Sequence, residues 1–310
     1  MSDGLAAWDK IHRMTRREFL PVAAGLGLAA SVANRAGAAS APTNNPPAFS
    51  KKPNFGRLKQ SVCPSVFGKG VRFADQCRLA AELGFHGIDL QTPDKWPILQ
   101  QYGLISTMSS GGGGTIKDGL NRKENHVRIE KSMRELIDQC AAAGYPNVIT
   151  FSGVRAGMSD EEGMANCEMF LNKVKAQAED KNVNICMELL NSRVNHPDYM
   201  CDHVDWGVAL CKRVNSPRVK LLFDIYHMQI MDGDIVRRIT TDIEWFAHFH
   251  TGGVPGRHEI DNRSNELNYN FVAKAIADTG FSGFCAHEYS PAPGRDYLSS
   301  LKEAREIFTV

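Results

Sequence analysis

An excess of charge of either sign is the first thing this chain lacks. Its 36 Lys and Arg stand against 35 Asp and Glu over 310 residues. So even a balance supplies no electrostatic footprint for nucleic acid or for an anionic membrane. No C-x-x-C occurs among the eight cysteines, Cys63, Cys77, Cys140, Cys167, Cys186, Cys201, Cys211 and Cys285. Most of them sit inside apolar periodic segments, which favours buried free thiols over a disulfide framework. Beyond the N-terminal region no stretch reaches ~18 continuous apolar residues, so no stable membrane anchor is expected. Several catalytic signatures are also missing. There is no G-x-S-x-G nucleophile elbow, no H-E-x-x-H, and no lysine at the end of a strand for Schiff-base chemistry. The glycine run Gly111–Gly114 fits neither G-x-G-x-x-G nor a P-loop, and it reads as a mobile loop after the third strand.

What is present is an ordinary soluble composition, 43% hydrophobic and 23% charged. A chain of this length buries about three-quarters of its unfolded surface, enough to hold a core without cross-links.

The first 38 residues differ from the rest. Thr15-Arg16-Arg17-Glu18-Phe19-Leu20 precedes a mild apolar run from Pro21 to Ala33, followed by Ala36-Gly37-Ala38. Charged start, short apolar middle and small-residue cleavage site describe a secretory signal, and the paired arginines resemble the twin-arginine (Tat) motif. Residues 1–38 are therefore expected to be a Tat signal peptide, with the Tat export machinery as a partner and the periplasm as destination. Residues 39–54, rich in Pro, Asn, Ala and Ser, read as a linker. The leader carries Lys10, Arg13, Arg16, Arg17 and Arg35 against Asp3, Asp9 and Glu18, so its removal leaves the rest near neutrality.

Residues 55–310 alternate between short apolar runs and segments of helical period. The strand candidates are 58–63, 86–90, 104–108, 147–151, 184–189, 219–224, 246–250 and 283–288. Their continuous apolar character suits parallel strands covered on both faces. Between them, Phe73, Cys77, Ala80 and Ala81, then Met133, Leu136, Ile137, Cys140 and Ala141, then Phe170, Val174 and Ala178 mark helical stripes. Eight strand–helix units in about 250 residues predict an α/β fold, a (β/α)8 TIM barrel.

In such a barrel the chemistry sits where strands end. Strands five to eight end in Glu188, Asp224, His250 and Glu288, separated by 36, 26 and 38 residues, one barrel unit each. Neighbouring strands lie about 4.8 Å apart, so four such side chains can share one cation. Three carboxylates and an imidazole favour Mg2+ or Mn2+, with Zn2+ or Co2+ admitted through the histidine. Any one of these residues taken singly reads as a helix cap or ion-pair partner; four consecutive strand ends read as a metal site. His248 and His250 form H-x-H on one strand face, so that one can ligate while the other binds substrate or packs.

Asp224-Ile225-Tyr226-His227-Met228-Gln229, Gly253-Val254-Pro255-Gly256-Arg257-His258-Glu259 and His287-Glu288-Tyr289 resemble the hydroxypyruvate isomerase family. That family belongs to the xylose isomerase-like barrels, which also include ketose 3-epimerases. The similarity runs from about Leu58 to the C-terminus, and the Gly-Val-Pro-Gly-Arg-His-Glu loop is its most specific part. The resemblance implies a divalent metal on Glu188, Asp224, His250 and Glu288. It implies that Glu188 and Glu288 also move the substrate proton, and that His227 and Arg257 contact substrate oxygens. Hydroxypyruvate isomerases typically carry Gln where His250 stands, and a histidine there is more like the epimerases.

The expected activity is isomerisation of a small hydroxy-carbonyl compound through an enediolate, as in hydroxypyruvate to tartronate semialdehyde. The alternatives are a ketose 3-epimerase or a 3-keto-sugar lyase on the same site, or a non-catalytic sugar-binding barrel. A metal-dependent endonuclease would call for more histidines and a basic groove, against the near-neutral charge. No interface is readable, and a homo-oligomer is left open.

Overall fold

The computed structural model describes residues 56–261 and 263–310. The expected leader, 1–38, and linker, 39–54, lie outside the described residues. Among the described residues there are nine strands: β1 (Lys59–Val62), β2 (Gly87–Ile88), β3 (Ile105–Ser106), β4 (Ser109–Gly113), β5 (Asn147–Thr150), β6 (Asn184–Glu188), β7 (Val219–Asp224), β8 (Phe246–Thr251) and β9 (Phe284–His287). They form one sheet in the order β3-β2-β1-β9-β8-β7-β6-β5-β4, and every pairing is parallel. Gln91, just beyond β2, bridges Ser109 in parallel and nearly closes the ring.

The predicted eight staves become nine strands because the third stave breaks between β3 and β4. There the ladder gives way to side-chain bonds. Ser106 Oγ donates to Met108 O at 2.9 Å, and Asn147 Nδ2 donates to Thr107 O at 2.8 Å. The glycine run is a correction to the expected loop. Gly111, Gly112 and Gly113 lie within β4. A Cβ on Gly113 would come within 1.9 Å of Ile149 O, and one on Gly112 within 2.8 Å of Ser132 O. Glycine here permits a close strand–strand and strand–helix approach, the use for which a missing Cβ is suited.

The helical stripes face the sheet as their period requires. Helix α3 (Lys123–Ala143), counted after α1 (Phe73–Glu82) and α2 (Trp96–Gln101), buries Met133, Leu136, Ile137 and Cys140 and ends on left-handed Gly144. Helix α4 (Asp160–Lys181) begins on a Ser159 cap that accepts from Glu162 N, with three acids in its first turn, and buries Phe170, Val174 and Ala178. The ring continues through α5 (Val204–Val214), α6 (Ile225–Met231), α7 (Ile235–Asp242), α8 (Tyr269–Asp278) and α9 (Tyr297–Ile307). All eight cysteines are buried and free. No helix among the described residues is long and apolar enough to cross a membrane.

Candidate active site

The four strand ends converge. Glu188 closes β6, Asp224 closes β7, His250 is the penultimate residue of β8, and Glu288 follows β9, its backbone N bonded to Thr251 O at 2.9 Å. One ligand atom from each lies within 4.8 Å of all the others. His250 Nδ1 is 2.6 Å from Glu288 Oε2, 3.3 Å from Glu188 Oε1 and 3.7 Å from Asp224 Oδ2. Asp224 and His250 are fully buried, and Glu288 keeps some exposure to the cavity.

Local structure explains how Asp224 serves two ends. It caps α6: its Oδ1 accepts from His227 N at 3.0 Å, leaving Oδ2 for the site. Arg257 reaches in from the loop after β8. Its Nη2 donates at 2.6 Å to both Asp224 Oδ2 and Glu288 Oε2, and its guanidinium lies 5.2 Å from the Tyr226 ring centroid. Arg257 adopts a left-handed backbone at φ 55°, held by bonds to Gly253 O and from Ser290 N. Such strain, about 1–3 kcal/mol, concentrates at functional sites.

The electrostatics divide the two glutamates. Burial pushes Glu188 up to about 7, with His250 pulling it down and Glu288 and Asp224 pushing further. Burial also acts on Glu288, but His250 and Arg257 overcome it and hold that carboxyl below its ordinary value. Two carboxyls whose surroundings drive them apart are the usual make-up of an acid–base pair. Burial works against a charged His250, and Glu288 with Asp224 and Asp89 overcomes it upward.

The residues fit a divalent cation. His250 Nδ1 is buried without a hydrogen-bond partner, although three carboxylates surround it. The donor set is three hard oxygens and one nitrogen, as sequence reasoning expected.

His227 is fully buried, and burial pushes its pKa down to about 4, Asp224 pulling the other way. Asn191 Oδ1 accepts from Val194 N and Asn195 N at 3.0 and 2.9 Å, which turns its amide Nδ2 toward His227 Nδ1 at 2.6 Å. On the other side of the ring Nε2 lies 2.9 Å from Arg257 Nη1, so both ring nitrogens meet donors, in keeping with an imidazole held neutral.

A cavity of about 290 Å3 opens on this cluster, lined by Glu188, Glu288, Arg257 and His196 with Gly113 and Phe151 among others. A larger groove of about 540 Å3 lies over α9, where Arg263 and Arg295 both pair with Glu303, and holds none of the strand-end residues. Of the residues expected to touch substrate, Arg257 lines the cavity, while His227 and His248 are fully buried and do not. His248 has Nε2 on Asp89 Oδ2 at 3.0 Å, because one residue pair along the strand sets it a layer deeper than His250.

The pattern of the family described as xylose isomerase-like TIM barrel matches residues 77–307. The chain belongs to the xylose isomerase-like TIM barrel family. A 2-oxo-tetronate isomerase of Cupriavidus necator is 37% identical over 112 residues, a match spanning 36% of this chain and 42% of that protein. A putative hydroxypyruvate isomerase of Drosophila melanogaster is 33% identical over 239 residues, spanning 72% of this chain and 88% of that one. Among solved structures, a protein from Brucella melitensis described as AP endonuclease, family 2, superposes with a TM-score of 0.70 at 26% identity, covering 79% of this chain and 97% of its own.

Within this xylose isomerase-like barrel, some site residues escaped the reading of strands five to eight. Asp89 follows β2 as Glu288 follows β9, so extending the strand-end rule to the second stave reaches it. His196 and the amide geometry of Asn191 carry no such signal, because both depend on how the loop after β6 folds back over the barrel mouth.

Proposed function

We propose that this chain is a divalent-metal-dependent isomerase acting on small hydroxy-carbonyl compounds, with hydroxypyruvate and 2-oxo-tetronate as the first candidates. The observation that carries the reading is the convergence of Glu188, Asp224, His250 and Glu288 within 4.8 Å at the strand ends. These four residues would hold the metal, Mg2+ or Mn2+ by the hardness of the set, with Zn2+ or Co2+ admitted by His250. A bound divalent ion supplies Lewis-acid polarisation of a carbonyl and its neighbouring hydroxyl.

The chain's own residues do the rest. Glu288, held ionised by His250 and Arg257, is suited to take a proton from the carbon beside the carbonyl. Glu188, the second glutamate of the cluster, is suited to return one to the neighbouring carbon. Arg257 lines the cavity and is suited to hold a substrate oxygen, with His227 packed behind it, Nε2 at 2.9 Å from Arg257 Nη1. Arg257 also suits a substrate carboxylate through its planar fork.

The test is solvent exchange. Protein dialysed against EDTA, then loaded with Mn2+ or Mg2+, is incubated in D2O with hydroxypyruvate or 2-oxo-tetronate and followed by NMR. Metal-dependent deuterium incorporation and aldehyde formation are expected. Full activity in metal-stripped protein ends the metal reading; no exchange into either compound ends the substrate reading.

His250 favours a second reading, ketose 3-epimerisation or 3-keto-sugar lysis on the same residues, which a ketose panel in the same assay separates. A sugar-binding barrel without catalysis would bind and show no exchange. Export into the periplasm through the twin-arginine route is a separate proposal, resting on Arg16, Arg17 and Ala36-Gly37-Ala38.

A further inference from the structure

Asp89 lies at the floor of the barrel mouth, fully buried, directly after β2. Its backbone N donates to Val62 O at 2.8 Å, which extends the ladder and aims the side chain inward. Asp89 Oδ2 is 2.7 Å from His250 Nε2 and 3.0 Å from His248 Nε2, and its other oxygen accepts from Thr107 Oγ1. A carboxylate in such a place is costly unless its lone pairs are filled, and here imidazoles from β8 and a hydroxyl from the third stave fill them. The Cys63 thiol approaches to 4.0 Å.

The consequence falls on His250. A carboxylate oxygen only accepts, so Nε2 must carry a proton. The lone pair of a neutral ring is then on Nδ1, the atom that faces Glu188, Asp224 and Glu288. The His248 ring packs edge-on against His250, centroids 5.3 Å apart and planes at 84°, and restricts rotation of the ring. His248 is thereby assigned too: it shares the carboxylate and braces the ligand, away from substrate.

We propose that Asp89 is the positioning residue of the metal centre, fixing the tautomer and orientation of His250 and strengthening Nδ1 as a ligand, with His248 as its brace. The inference rests on the metal reading above. A carboxylate behind a ligating imidazole usually contributes 10–100-fold in metal affinity.

Asp89→Asn is the informative variant because it is isosteric. Its amide oxygen still accepts from both imidazoles and its NH2 can donate to Thr107 Oγ1, so the packing is retained while the negative charge is lost. Mn2+ affinity of the full chain is measured by calorimetry and by the EPR signal of free Mn2+, alongside thermal unfolding in EDTA. The expected result is Mn2+ binding weaker by about tenfold or more, with apoprotein unfolding close to wild type. If Asp89→Asn does not fold, Asp89→Ser carries the same expectation. A double-mutant cycle with His250→Gln reads the coupling: once the imidazole is gone, removing the Asp89 charge has no further effect on Mn2+ affinity. A variant that binds Mn2+ within threefold of wild type overturns the assignment, as does an undiminished effect in the His250→Gln background. A wild-type chain that binds no Mn2+ ends the metal reading itself, a result distinguishable from the other two.

Discussion

Tyr199→Phe removes a single oxygen from the support beneath Glu188. The Tyr199 hydroxyl donates to Glu188 O at 2.9 Å and accepts from Ser152 N at 3.1 Å, and the residue is fully buried. It therefore ties the end of β6 to the chain leaving β5, two staves of the candidate site. Deleting the oxygen leaves a buried N–H and a buried C=O without this partner, and the space vacated is too small for a water. An unsatisfied buried group costs about 1–3 kcal/mol, the carbonyl at the low end because it has a second lone pair. The expected loss is about 2–3 kcal/mol, or roughly 4–12 °C in Tm for a domain of this size. Urea unfolding of the two proteins, with Cm lowered and the slope unchanged, is the assay. Tyr269 offers an internal comparison, since its hydroxyl donates to Gly252 O at 2.8 Å and accepts from Gly252 N at 3.1 Å. Tyr269→Phe is expected to lose a similar amount. A loss below about 0.5 kcal/mol at both positions would refute the reasoning that these hydroxyls satisfy otherwise orphaned backbone groups.

Glu288→Gln is expected to lower kcat by about a hundredfold or more while leaving far-ultraviolet circular dichroism unchanged, and near-wild-type turnover would remove Glu288 from the proton transfer. Asn191→Asp keeps an acceptor for Val194 N and Asn195 N but turns an acceptor toward His227 Nδ1, drawing a ring proton onto that nitrogen. Steady-state kinetics should then show a loss in kcat/KM with the fold intact. Gly113→Ala forces a methyl to within 1.9 Å of Ile149 O and should destabilise the chain by about 2–3 kcal/mol in urea unfolding. Replacing Arg16 and Arg17 together by Lys should leave the protein in the cytoplasmic fraction; undiminished periplasmic recovery would end the twin-arginine proposal.

The barrel and its four converging side chains were legible because of a simple physical contrast. Parallel strands covered on both faces read as unbroken apolar runs, so a Glu, Asp or His at the point where each run stops is conspicuous. The one-unit spacing of Glu188, Asp224, His250 and Glu288 then carried the site onto neighbouring staves. Gly111–Gly113 was misleading for the opposite reason. Glycine is a turn former by composition, and only the packed neighbours Ile149 and Ser132 reveal that it serves here as a strand with no room for a side chain.

Sequence by itself determined the period of the elements, the stave count up to the break at Thr107, and the ligand types at the mouth, because these follow from local burial patterns along the chain. Tertiary structure decided what each polar atom faces. Asp89 meets His250 across 161 residues, Arg257 meets Asp224 across 33, and Asn191 meets His227 across 36. Hydrogen bonds act over about 3 Å in a fixed direction, and no one-dimensional pattern carries a direction between residues so far apart.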